Sequence, residues 1–266
     1  MFHLTTEEKI EKVKDFRPID DVFFEVLAQD KGVCEEILRT ILEDDGLVVE
    51  QVITQESIRN LYGRSVRLDA LCVLGSGTRV NIEVQRSDQD DHLRRVQFNA
   101  SSITVKESNT GEKFENVLDL YVVYISEKDI FKGNRTIYHV EKILRETGKP
   151  VEDGLHEIFV NTAVFDGTDI AELMSCFLKK EVNHPKFPRL SNEVNRIKHT
   201  EGGVDVMCEV MQRYETIAKE EGRVEGRLQL IASMLMSGKT AQEIAIFTGI
   251  SPDEIEEAKQ TILVNI

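Results

Sequence analysis

Two acidic residues and an amide lie on the two arms of one predicted hairpin. Asp69 precedes a short turn at residues 75–77, and Glu83 and Gln85 follow it. The flanking segments are rich in β-branched and apolar residues, which predicts two antiparallel strands. Side chains alternate along a strand, so Glu83 and Gln85 point to the same face. Because carboxylate and amide oxygens suit Mg²⁺, the hairpin predicts a metal-dependent phosphodiesterase site.

The length of the turn decides whether Asp69 joins that face. A three-residue loop sets Leu74 opposite Thr78, and counting back then sets Asp69 opposite Glu83. A two- or four-residue loop would set Asp69 opposite Val84, on the other face. We therefore expect a three-residue loop, or a compensating bulge, with a glycine in the left-handed conformation. The alternative is that these acids simply face solvent.

The hairpin resembles the core of a known family. Arg67-x-Asp69, the glycine-containing turn and Ile82-Glu83-Val84-Gln85 are similar to the central motif of the PD-(D/E)XK nuclease family transposases. Three further segments resemble other parts of that family: Asp21-Val22-Phe23-Phe24, Tyr138-His139-Val140-Glu141 and residues 156–161. In the first of them, Phe24 stands where lysine is common in the family. The resemblance covers most of the first 180 residues.

This resemblance implies a restriction-endonuclease-like α/β fold with an αβββαβ core and a C-terminal helical appendage. It also implies that Asp69 and Glu83 bind Mg²⁺ or Mn²⁺, with the Val84 carbonyl as a further ligand. Gln85 would position the attacking water; it stands where the wider superfamily often has a lysine, and it carries no charge with which to stabilise the phosphorane. Asp21 or Glu25 would complete the acidic site.

The function expected from these residues is DNA endonuclease activity of the transposase or recombination-promoting type. Arg67 shares a face with Asp69 and would either pair with that carboxylate or contact a phosphate. Arg94 and Arg95, which lie just beyond the second strand, would also contact phosphates. The alternative is a catalytically weak nucleic-acid-binding or oligomerising module that keeps the nuclease fold. A third possibility is a nuclease that acts on RNA or on damaged DNA with the same residues.

Charge is the main compositional argument against a DNA partner. The chain has 266 residues, with 33 basic and 48 acidic side chains and a formal charge of −15, which repels nucleic acid. Bound divalent ions would reverse the local field, and residues 179–198 concentrate basic side chains. The chain lacks an apolar run long enough to cross a membrane, and its four dispersed cysteines suit a reducing compartment. We therefore expect a bacterial cytoplasmic protein with no membrane partner.

Patterning along the chain predicts three regions. Residues 1–180 form the nuclease-like domain, 181–200 a basic linker or loop, and 201–266 a helical region. Within the first region, a helix from about Asp90 to Lys106 has only an imperfect apolar stripe.

The last thirty residues predict a helix-turn-helix-like hairpin. Capping boxes begin at Thr240 and Ser251, and Thr248-Gly249-Ile250 makes the turn between the two helices. The second helix begins with several acidic residues, which oppose DNA phosphates. We therefore favour packing or homo-oligomerisation through the C-terminal helices over DNA reading.

Overall fold

The structure is a computed structural model that describes residues 5–58, 66–86, 91–108, 110–111 and 113–264. The chain divides into two compact units, Met1–Val210 and Met211–Ile266.

The first unit is a mixed α/β structure. Its elements in chain order are α1 Thr6–Lys14, α2 Asp21–Leu27, α3 Lys31–Leu42, β1 Val49–Ile58, β2 Val66–Leu74, β3 Arg79–Gln85, α4 His92–Glu107, a 3₁₀ turn Phe114–Asn116, β4 Leu120–Ser126, β5 Ile137–Val140, β6 Leu155–Asn161, α5 Asp169–Phe177 and α6 Pro188–His199. Helix α7, Glu201–Met236, carries residues of both units, and α8 Ala241–Thr248 and α9 Pro252–Val264 belong to the second.

A six-stranded sheet organises the first unit, in the order β1-β2-β3-β4-β6-β5. The first three strands are antiparallel, β3, β4 and β6 run parallel, and β5 is antiparallel to β6. Strand β4 lies inside the sheet and is buried along nearly its whole length. Helix α4 connects β3 to its parallel neighbour β4, as parallel pairing requires.

One face of the sheet is covered by α4. Its residues Val96, Ala100 and Ile103 pack in an apolar cluster with Leu71 of β2 and Val122 of β4. The helix begins at His92; the expected start at Asp90 lies outside the described residues. This packing fixes the distance of α4 from the strands that carry the acidic residues.

Residues 181–187 are not helical, but the expectation of a basic linker or loop is wrong for residues 188–199. Helix α6 occupies Pro188–His199 and packs against α1, α2 and α3. Pro188 stands in the first turn, where its missing N–H breaks no helical hydrogen bond. The proline that indicated a break in the sequence therefore begins a helix.

Several basic side chains of this segment are committed to partners inside the protein. Lys198 is 2% exposed, and its Nζ donates to the carbonyls of Lys14, Phe16 and Lys180. Salt bridges join Lys186 to Asp169 and Glu172, and Arg196 to Glu193. The partners of Lys186, Arg196 and Lys198 reduce the positive charge that this segment presents to solvent.

The second unit contains the helical hairpin expected from the capping boxes. Thr240 and Glu243 cap α8 reciprocally, and Ser251 Oγ accepts from Glu254 N (3.2 Å) at the start of α9. Gly249 ends α8 in the left-handed conformation, with φ at 71°. A small apolar core, formed by Ile231, Ile244, Ile250, Ile255 and Ala258, holds the helices together.

Two expectations about the chain as a whole can be compared with the structure. The four cysteines are buried and unpaired, as expected. Among the described helices, none is long and apolar enough to cross a membrane.

Candidate functional site

The turn between β2 and β3 has the expected three-residue loop. Leu74 N donates to Thr78 O (3.0 Å), and Gly77 N donates to Leu74 O (2.8 Å). Gly77 has φ at +88°, the left-handed conformation that glycine adopts without strain. Val73 pairs with Arg79, and regular pairing continues along both strands until Ala70 pairs with Ile82. The next step of this register places Asp69 opposite Glu83.

Asp69 and Glu83 are adjacent where this pairing stops. Asp69 N donates to Glu83 Oε1 (3.4 Å), and Val84 N donates to Asp69 Oδ2 (2.9 Å). Each carboxylate thus accepts a hydrogen bond from the main chain of the opposite strand through one of its two oxygens. Glu83 is 6% exposed and Asp69 is half-buried, so the pair does not simply face solvent.

Main-chain groups of β3 also lie beside Asp69 and Glu83. In a strand, the N–H and the C=O of one residue point to the same neighbouring strand. Val84 N reaches Asp69, so the Val84 carbonyl is directed toward β2. The Gln85 carbonyl points the other way and accepts from Glu127 N (3.1 Å). The side chain of Gln85 is half-buried and lies on the same face as Glu83.

Burial makes both carboxylates harder to ionise. It raises the pKa of Asp69 to about 7, although the hydrogen bond from Val84 N opposes the shift. Burial also raises the pKa of Glu83 well above its usual range, and the negative charge of Asp69 adds to this effect. Arg95 lowers both pKa values. A pair of acids whose ionisation is opposed by burial and by neighbouring negative charge is complementary to a cation.

Asn81 belongs to the site although the sequence reasoning missed it. It is fully buried, and its Nδ2 donates to Glu83 Oε1 (2.9 Å). Its Oδ1 is buried and accepts no hydrogen bond from the described residues. The sequence contained a signal for this residue, because Asn81 and Glu83 are two apart and residues two apart on a strand share a face.

Tyr124 and His92 form a second missed pair beside Glu83. Tyr124 of β4 lies next to Glu83 in the parallel register, and its hydroxyl is 2.8 Å from His92 Nδ1. Burial raises the pKa of Tyr124, and the charge of Arg95 opposes that shift. The sequence held no signal for this contact, since it depends on β3 pairing with β4 and on the position of α4.

The two acids of α2 lie differently. This helix packs against β2 and β3, and the charge of Asp21 is close enough to raise the pKa of Asp69. Glu25, one turn later, is 2% exposed. Phe24, at the position where the family often has lysine, is fully buried and contacts the ring of Phe177. Phe24 is therefore a core residue.

The three expected phosphate-contacting arginines line one cavity together with Glu83. This cavity has a volume of about 350 Å³, and among the described residues its wall contains Val66, Arg67, Glu83, Asp91, Arg94, Arg95, Phe98 and Asn99. Arg95 Nη2 lies 3.8 Å from Asp91 Oδ2. Positive charge is therefore concentrated next to the acidic pair in a chain whose total charge is −15.

The cavity explains the imperfect apolar stripe of α4. Residues Asp91, Arg94, Arg95, Phe98 and Asn99 follow the spacing of one helical face, and this face forms part of the cavity wall. A second face packs into the core. The apolar residues Leu93 and Phe98 of α4 lie outside this second face and are 54% and 37% exposed.

The donor atoms fit a hard divalent cation. Among the described residues no group of three or more His, Cys, Asp or Glu side chains could hold a metal ion, so the acidic ligands would be Asp69 and Glu83 alone. Mg²⁺ is usually bound by one or two carboxylates and keeps several waters, and Mn²⁺ accepts similar oxygen ligands. The unpartnered Oδ1 of Asn81 beside Glu83 is a polar acceptor that bound water would satisfy.

Fold and site together define an α/β protein whose acidic residues lie on adjacent strands of an open sheet. The model of the PD-(D/E)XK nuclease family transposases matches residues 20–201, and the chain belongs to this family. The resemblance of the hairpin is thereby confirmed. No curated protein and no solved structure matches the chain significantly. Membership of this family suggests a nuclease or transposase type of function.

Proposed function

We propose that the chain is a metal-dependent DNA endonuclease of the transposase or recombination-promoting type. The observation that carries this proposal is the reciprocal contact of Asp69 and Glu83 with each other's strands. The sequence α3-β1-β2-β3-α4-β4 would be the αβββαβ core, and α4 would complete the site.

Each residue has a role in this proposal. Asp69, Glu83 and the Val84 carbonyl would hold Mg²⁺ or Mn²⁺, which supplies neutralisation of phosphate charge and a more acidic bound water. Gln85 lies on the face of Glu83 and would orient the attacking water through a hydrogen bond. An uncharged amide orients water without stabilising the phosphorane, so catalysis is expected to be slow.

The surrounding charges support the same chemistry. Arg67, Arg94 and Arg95 line the cavity beside Glu83 and would contact the phosphates. Asp21 would act through its charge, which raises the pKa of Asp69, and not as a third acidic ligand; Glu25, the alternative, is buried on the same helix.

Cleavage of supercoiled plasmid with Mg²⁺ or Mn²⁺ tests the proposal. Asp69→Asn and Glu83→Gln keep the size of each side chain but remove its charge, and both should abolish nicking. Glu107→Gln is the matched control, because this acid pairs with Arg79 at the last residue of α4. Equal nicking by all variants of confirmed folding would refute the assignment of the site.

A second candidate is a catalytically weak module that keeps the nuclease fold. Gln85 and Phe24 favour it, because neither position supplies the lysine common in related proteins. A thermal shift with Mn²⁺ separates the two functions. A shift that vanishes in Asp69→Asn supports a working metal site, and no shift at millimolar Mn²⁺ supports the module.

A further inference from the structure

Helix α4 presents an aromatic ring and an amide to the cavity beside Glu83. Phe98 is 37% exposed and Asn99 is 6% exposed, and both lie in the cavity wall. Phe98 is not needed to close the core, since Val96, Ala100 and Ile103 already pack α4 onto the sheet. An accessible ring in a concave wall is a surface on which a flat, apolar group can stack.

Asn99 places an amide at the wall of this cavity. Its residue is 6% exposed and it lines the cavity beside Phe98. Asn81, the other buried amide nearby, donates to Glu83. An amide carries both donors and an acceptor, which is the combination that recognises the edge of a nucleobase.

The charges around Phe98 are arranged for a phosphodiester chain. Arg67, Arg94 and Arg95 lie in the same wall, and Glu83 is placed where the scissile phosphate would meet the acidic pair. The cavity volume of about 350 Å³ lies in the range of small-ligand sites, which suits one nucleotide. A base within a duplex would first have to leave its stack.

We propose that this cavity binds one unpaired nucleotide, so that the substrate is a single-stranded or locally unpaired polynucleotide. The base stacks on Phe98, its edge meets Asn99, and the arginines hold the adjoining phosphates. This inference rests on the proposed nuclease function for the position of the scissile phosphate. Its binding part stands on the cavity alone.

Binding is measured first, with a labelled single-stranded DNA oligonucleotide, its duplex and the RNA of the same sequence, in EDTA. We expect the single strand to bind at least tenfold more tightly than the duplex. Loss of one base stack in Phe98→Ala should weaken single-strand binding on the order of 10-fold to 100-fold. Phe98→Tyr keeps the ring and should bind like the wild type. Leu93→Ala is the control, an exposed apolar residue of α4 outside the cavity wall.

Cleavage with Mn²⁺ of the single strand, the duplex and a duplex with an unpaired bubble completes the test. Preferred cutting of the single strand and the bubble, reduced by Phe98→Ala, supports the inference. Duplex cutting that is equal and independent of Phe98 overturns it while leaving the nuclease intact. Phe98-dependent binding without any cutting overturns the nuclease but supports the nucleotide cavity. An unchanged Mn²⁺ thermal shift in Phe98→Ala shows that the metal site is undisturbed.

Discussion

Replacing Asn81 with leucine tests whether this buried amide serves the metal site or only the fold. The variant loses the hydrogen bond from Nδ2 to Glu83 Oε1 (2.9 Å), and an intramolecular hydrogen bond typically contributes about 0.5–1.5 kcal/mol. It also removes the unpartnered Oδ1, whose burial costs about 1–3 kcal/mol. The two terms have opposite signs and similar sizes. We therefore expect the metal-free protein to change in stability by no more than about 1 kcal/mol.

Metal binding should respond much more strongly than folding. Loss of a group that orients a ligand typically weakens metal binding about 10-fold to 100-fold. At a Mn²⁺ concentration about 100 times the wild-type Kd, binding stabilises the protein by about 2.7 kcal/mol, and a tenfold weaker variant keeps about 1.4 kcal/mol. The assay compares urea unfolding with and without Mn²⁺. Asn99→Leu, a buried asparagine without a bond to Glu83, is the control. An undiminished Mn²⁺ effect in Asn81→Leu would refute our reasoning.

Three further predictions concern other parts of the molecule. In Gly203→Ala, the new Cβ would lie 2.3 Å from the Arg196 carbonyl oxygen, so we expect destabilisation by about 1–3 kcal/mol in urea unfolding. Gly202→Ala, with nothing within 4 Å, should instead stabilise by about 0.5–1 kcal/mol; equal effects would contradict the clash. Burial lowers the pKa of Lys198 below its usual 10.5, so the unfolded chain binds the proton more readily. Stability should therefore rise as pH increases from that lowered pKa to about 10.5, and Lys198→Met should show a smaller rise in pH-dependent unfolding. Homo-oligomerisation through the C-terminal helices remains a prediction. Ile246 and Phe247 are 83% and 74% exposed. Replacing both with lysine should lower the molecular mass measured by light scattering, and an unchanged mass would place any contact between copies elsewhere.

The acidic pair could be predicted because its geometry is local. Loop length and strand alternation alone place Asp69 opposite Glu83, and Gly77 supplies the conformation that this loop requires. The same alternation would have identified Asn81. Its amide was overlooked because a buried polar residue beside an apolar core has no composition signal of its own.

The rest of the site depends on contacts between distant segments. Tyr124 meets His92 only because β4 pairs with β3 and α4 crosses the sheet. Helix α6 was missed because its proline and basic residues indicate a loop, whereas burial of Lys198 on three carbonyls is visible only in the folded chain. The face of α4 that lines the cavity was visible in the sequence only as an interruption of the apolar stripe.

The small number of positive groups at the cavity predicts how binding responds to salt. The logarithm of single-strand affinity falls with the logarithm of salt concentration by about 0.7 for each phosphate neutralised. Three arginines, Arg67, Arg94 and Arg95, line the cavity among the described residues, so the expected slope is about −2. Titration of oligonucleotide binding between about 50 and 200 mM salt measures it.

The slope also tests where the negatively charged chain binds nucleic acid. Lys186, Arg196 and Lys198 are held by internal partners, so the basic segment adds little. Arg94→Ala should make the slope shallower by about 0.7, the value for one phosphate contact. A slope of about −4 or steeper requires six or more contacts and would place binding on an extended surface instead of the cavity. A shallow slope that Arg94→Ala reduces would explain how a protein with a charge of −15 binds a polyanion through one local concentration of positive charge.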